Sequence, residues 1–148
     1  MTAVVVKGAL TLLSGEDKSK TGIRYTPAMP TIAHAAATAT DYIGIWRAPF
    51  DCRLRCAYFI PLVAVSGTDT NYTCLNLVNI GLAGSGTTEL ANIDLVAGAD
   101  LTALAKNIIT EGLTTDLAAG DVIGLQAEKV NDGVAIGVGY WIIGYDGG

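Results

Sequence analysis

The first places to look for chemistry in this 148-residue chain are three cysteines, one histidine, a glycine-rich turn and the scattered carboxylates. Cys52 and Cys56 have Cys-x3-Cys spacing and Cys74 stands apart. A structural zinc site needs four Cys or His ligands, and the fourth is missing. Residues four apart in a strand share a face with Cα atoms about 13 Å apart, so Cys52 and Cys56 cannot bridge. Buried, reduced thiols without a catalytic role are expected. His34 is the only histidine, which rules out a multi-histidine metal site, and any His-based triad would have to use it. A surface or interface imidazole is expected there. Gly81-Leu82-Ala83-Gly84-Ser85-Gly86 is glycine-rich like a phosphate loop but lacks the Gly-Lys-Ser/Thr ending, so it reads as a hairpin loop. No two acidic residues pair at glycosidase separation. Gly120-Asp121 and Asp132-Gly133 read as turns, with a loop calcium site as the alternative. Asn71-Tyr72-Thr73 fits the glycosylation sequon, but Met1 to Lys7 has no basic segment ahead of its apolar run, so no export signal is expected. Trp46 and Trp141 could stack on sugars, yet both sit in strand-like runs where burial is expected. These residues predict no enzyme, no cofactor and no metal.

The elements that would position such residues are strands. From Asp51 to Ile60, the residues Cys52, Leu54, Cys56, Tyr58 and Ile60 alternate with Asp51, Arg53, Arg55 and Ala57. Period two marks a strand with one buried face. A second strand is predicted over 71–80, joined to the first by a loop with Gly67, Thr68, Asp69 and Thr70. Shorter strands are predicted over 42–47, 87–96, 122–130 and 135–145, the last with glycines at 137, 139 and 144 that suggest bends. Leu101, Leu104, Ala105 and Ile108 have a spacing that permits a short helix, although Ile108-Ile109-Thr110 also suits a strand. Asn131-Asp132-Gly133 is the clearest turn. Seven or eight strands at this spacing predict an all-β fold, a jelly-roll-like antiparallel β-sandwich.

The chain length fits one domain with a sizeable core. Hydrophobic residues make up 51% of the sequence and charged residues 16%, so the apolar surplus must enter a core or subunit interfaces. No run of about 18 apolar residues exists, which excludes a spanning helix. The net charge of −5 argues against nucleic-acid binding, and Arg53 and Arg55 on one strand face do not make a groove.

Residues 1–40 differ from 41–148. An apolar start, a polar turn over 14–22, Pro27 and Pro30, and an Ala/Thr tract to Thr40 predict an extended N-terminal arm on a β-sandwich domain. Val4, Val5, Val6, Leu10, Leu12 and Leu13 should not stay in water. The arm is expected to order only against a neighbouring subunit, so removing 1–35 should leave the β-body folded.

The order Trp46-Arg47-Ala48-Pro49, the strand from Cys52 to Pro61, Thr70-Asn71-Tyr72-Thr73-Cys74, Gly84-Ser85-Gly86 and Ala119-Gly120-Asp121-Val122 resembles tailed-phage capsid decoration (cement) proteins with a jelly-roll body. The resemblance covers roughly residues 41–145 and not the first 40. It implies a non-enzymatic virion protein on the capsid exterior, made in the host cytoplasm. It further implies the major capsid protein and itself as partners, commonly as a homotrimer, with no nucleic acid or membrane. Avidity would supply the hold. Val4, Val5, Val6, Leu10, Leu12, Leu13, Trp46, Arg53 and Arg55 are the expected interface residues. The alternative is a phage tail or fibre-tip protein whose loops bind a glycan or receptor.

Overall fold

The computed structural model describes residues 22–147. Among these residues ten strands follow one another: β1 (Arg24–Tyr25), β2 (Met29–Pro30), β3 (Thr40–Arg47), β4 (Cys52–Pro61), β5 (Tyr72–Gly81), β6 (Thr88–Asp94), β7 (Asn107–Thr110), β8 (Thr115–Leu117), β9 (Val122–Val130) and β10 (Gly139–Asp146). One sheet has the order β1-β10-β4-β7, with β2 also on β10 and β8 also on β4; the other has the order β3-β9-β5-β6. Every pairing is antiparallel. From β3 to β10 the chain crosses repeatedly between the sheets, so the fold is an all-β, jelly-roll-like sandwich. Leu75, Leu77, Ile123 and Leu125 from one sheet meet Leu54, Phe59, Trp141 and Ile143 from the other, all fully buried. Such interdigitated inner faces are what hold two sheets together.

The two long strands stand where alternation predicts them, but the phase of β4 changes partway. Leu54 pairs with Tyr145 and Cys56 with Gly144, which leaves Arg55 as an extra residue. This β-bulge turns the strand over. Cys52 and Leu54 enter the core together with Ala57 and Phe59, while Cys56, Tyr58 and Ile60 belong to the outer face. The single face expected for Cys52, Leu54, Cys56, Tyr58 and Ile60 is therefore corrected, and Cys52 and Cys56 lie on opposite faces. Gly144 accommodates the switch, because a Cβ there would collide with Cys56 Sγ.

The glycine-rich 81–86 segment is a hairpin turn between β5 and β6, with Gly81 and Gly84 at φ 77° and 76° and the Gly86 amide donating to the Ile80 carbonyl at 2.7 Å. Of the two readings for 101–111, the strand is adopted. The amide group of Asn107 donates to the carbonyls of Thr102, Ala105 and Phe59, which ties this loop to β4. Leu104, at φ 58°, breaks any helical path.

The described part of the arm uses the chain itself as its support. β1 and β2 pair with β10, the Thr26 and Thr31 hydroxyls accept the amides of Ile143 and Gly139, and His34 bridges Ile136 through its backbone. Residues 22–40 thus do not wait for a neighbour to become ordered. The reason is β10, whose edge would otherwise carry unpaired amides and carbonyls.

Candidate interaction surface

His34 is buried at 1% exposure, not on a surface or at an interface as expected, with Nδ1 3.3 Å from Asp41 Oδ2. Its backbone pairing to Ile136 draws the ring inside. The three cysteines are free and buried. Burial, reinforced by Asp146, Asp51 and Asp121, pushes the Cys52 thiol up to about 11. Burial and a hydrogen bond to Asp94, with Glu128 and Glu89 nearby, push Cys74 up to about 12. Both thiols are protonated at neutral pH and poor nucleophiles. Among the described residues, no group of three or more His, Cys, Asp or Glu side chains is placed to hold a metal. Both acidic segments are turns: at Gly120-Asp121 the Asp121 Oδ2 accepts the Ala118 amide at 2.9 Å, and at Asp132-Gly133 the amide of Gly133, which has φ 65°, donates to the Val130 carbonyl at 3.1 Å.

The expected interface residues fall into two groups. Val4, Val5, Val6, Leu10, Leu12 and Leu13 lie outside the described residues. Trp46, Arg53 and Arg55 come to one end of the sandwich. Trp46 is half-buried against Tyr145, with ring centroids 5.2 Å apart, and Phe50 completes the aromatic cluster 6.0 Å from Tyr145. Arg24 lies over Phe50 at 5.9 Å. Arg53 Nε donates to Asp116 Oδ1 at 3.1 Å in the open, while Arg55 Nη1 donates to the nearly buried Asp146 Oδ2 at 2.6 Å. Both arginines therefore hold carboxylates of their own chain. Trp141 is completely buried, as a residue in a strand run should be.

The two outer faces differ. Across the middle of the β3-β9-β5-β6 sheet, Asn76 donates to Gln126 Oε1 and Glu128 Oε1, each at 2.9 Å, beside the Asn92–Asp94 pair. On the other sheet, Tyr58 lies between Ile142 and Ile108 in the strand register, and Ile60 lies beside Tyr140. Tyr25 stacks on Tyr58 at 6.4 Å, Lys106 Nζ stands 4.4 Å from the Tyr58 ring, and the Tyr58 hydroxyl donates to Glu111 Oε2 at 2.8 Å. Hydrogen bonding to Cys56, burial and Glu111 all raise the Tyr58 phenol, which stays protonated. This apolar outer face is the feature that the sequence reading missed. Its one local signal is Leu62-Val63 directly after Pro61.

No protein-family model matches the chain, and no curated protein matches it. Among solved structures, it is similar to the VP2 subviral particle of infectious bursal disease virus over 87% of this chain and 34% of that one, at 9% identity and a TM-score of 0.42. It is also similar to the structure of the infectious bursal disease virus Gx strain over 87% of this chain and 33% of that one, at 11% identity and a TM-score of 0.40. The chain spans about a third of the length of these two chains.

Proposed function

We propose that this chain is a non-enzymatic structural protein of a phage particle that binds the outside of the capsid as a decoration or cement protein. The observation that carries an assembling role is its exposed apolar surface: 13 large hydrophobic residues among those described are more than a third exposed, on a chain in which only 16% of residues are charged. Where these residues lie together, on the outer face around Tyr25, Ile108 and Tyr140, they support an interaction surface. The choice of a capsid partner rests on the sequence resemblance over 41–145. In this reading the homo-oligomer, a trimer, sits over junctions of the major capsid protein. Residues 1–21, carrying Val4, Val5, Val6, Leu10, Leu12 and Leu13, are the arm that reaches a neighbour. Fully extended, they span about 70 Å. Trp46, Arg53 and Arg55 contribute at the end of the sandwich.

The test is whether the protein co-purifies with intact capsids at a fixed stoichiometry. A fixed ratio, lost on deletion of residues 1–21, is the expected result. No retention on capsids, by a chain shown to be folded, overturns the reading.

A further inference from the structure

We infer that the outer face of the β1-β10-β4-β7 sheet is where copies of this chain meet; this deepens the assembly reading above and rests on it. The centre of the face is Tyr58, ringed by Tyr25, Ile60, Ile108, Tyr140 and Ile142. At the Tyr25 end, Ile23 also lies over the face, as its contact with the space above Gly144 requires. At the other end, Leu62 and Val138 continue the rows of Ile60 and Tyr140 at period two, and the exposed Val63 and Leu104 stand beside them. The Leu62 amide donates to the Val138 carbonyl at 3.2 Å and the Leu104 amide to the Pro61 carbonyl at 2.8 Å, so these four are neighbours through their backbones.

Area selects the occupant. Ile23, Tyr25, Ile108 and Tyr140, with the four residues of the far end, are between 41 and 73% exposed. A tyrosine side chain in water presents on the order of 200 Å2 and an aliphatic one less, so together they offer on the order of 600–700 Å2, close to the roughly 800 Å2 that one partner gives to a stable interface. Isolated patches on monomers are about 300–600 Å2. The charges fit a second copy: one cation, Lys106, and one anion, Glu111, flank Tyr58. A matched pair of this kind is complemented by the same face of another copy. An anionic lipid surface would need a basic excess, and the net charge is −5.

Leu104 adds an independent sign. It is a leucine in the left-handed region at φ 58°, a conformation that suits glycine, and its side chain is 73% exposed. Among the described residues nothing covers the side chain, while the backbone is held in this conformation by the Leu104 amide on the Pro61 carbonyl and by Asn107 on the Ala105 carbonyl. Insertion into a partner's surface would bury the side chain that this backbone conformation holds out into solvent.

The experiment is sedimentation equilibrium at micromolar concentrations on the wild-type chain, a Val63→Glu/Leu104→Glu double variant, Leu104→Gly, and Leu82→Glu as control. Leu82 is 68% exposed but lies in the β5–β6 turn, away from this face. The wild type and Leu82→Glu associate. The double variant loses at least tenfold in association while its far-UV CD is unchanged. Leu104→Gly also weakens association, yet does not lower the melting temperature of the dissociated chain, because the backbone strain is gone. Association of the double variant equal to wild type overturns the inference and leaves assembly standing through another surface. A wild type that sediments at 15.3 kDa but is retained on capsids also overturns it, and gives the face to the capsid protein. A monomer that associates only after removal of residues 1–21 overturns it in favour of those residues as the cover. A monomer without capsid binding removes both readings.

Discussion

Trp141 is completely buried and lies against the bare Cα of Gly44 across the sandwich. A Cβ built on Gly44 falls 2.6 Å from Trp141 Nε1, 2.9 Å from Cε2 and 3.2 Å from Cδ1, whereas an ordinary contact begins at 3.4 Å. Gly44→Ala therefore forces the indole, or the two sheets, apart by most of an ångström. Overpacking of this kind costs about 1–3 kcal/mol. Alanine in place of glycine in a strand returns about 0.5–1 kcal/mol, so the net loss is between about 0 and 2.5 kcal/mol, centred near 1. The second arm of the test is Trp141→Phe, which withdraws the atoms that collide. It also removes the Nε1 donor, which is buried with no hydrogen-bond partner among the described residues. That removal offsets part of the lost packing. In the double variant the methyl occupies space vacated by the indole, so the two changes couple favourably by at least about 1 kcal/mol. Urea unfolding, followed by far-UV CD at concentrations where the chain is dissociated, gives all four corners of the cycle. Gly44→Ala above wild-type stability, or strict additivity in the cycle, refutes the packing argument.

Cys52 and Cys74 have folded-state values of about 11 and 12, above the ordinary value of 9.0, so their contribution to stability is full below pH 9 and is lost as pH rises through the folded values. Each thiol then removes about 1.4 kcal/mol per pH unit, and Cys→Ala at either position should flatten the alkaline limb of urea midpoints against pH. Serine at all three cysteines lowers the urea midpoint by burying hydroxyls but leaves capsid retention intact. Arg53→Ala changes stability by no more than about 0.5 kcal/mol because its pair with Asp116 is in water. Arg55→Ala costs about 1–2 kcal/mol because it strips a counter-ion from the nearly buried Asp146; equal effects in urea unfolding would contradict this. Deleting residues 1–21 leaves the CD spectrum of the sandwich intact, whereas deleting 1–35 uncovers β10, removes buried Thr31 and His34, and lowers the melting temperature sharply.

Strand positions were legible because burial on one face writes a period-two pattern, and β4 and β5 start and stop within a residue or two of where that pattern places them. The face of each residue was not legible past Arg55. A bulge is a property of two strands: it depends on Tyr145 and Gly144, which stand about 90 positions away. The glycines of 137–144 hinted at close approach, and Gly144 under Cys56 is one place where that approach occurs. Residues 22–40 look poor in core-forming bulk, yet hydroxyls and backbone groups, not bulk, fasten them to β10. The apolar outer face is spread over five segments from Ile23 to Ile142. No local window holds enough of it to show a period, so only the folded sheet brings it together.

The bulge at Arg55 also says where β4 can change length. Deleting a residue elsewhere in a paired strand inverts every side chain beyond it and exchanges interior for exterior. Deleting Arg55 does not, since Leu54 and Cys56 already face Tyr145 and Gly144 as successive rungs of an unbroken ladder. Homologous chains that differ by one residue in this strand should carry their gap at this position, with the carboxylate at 146 changing alongside.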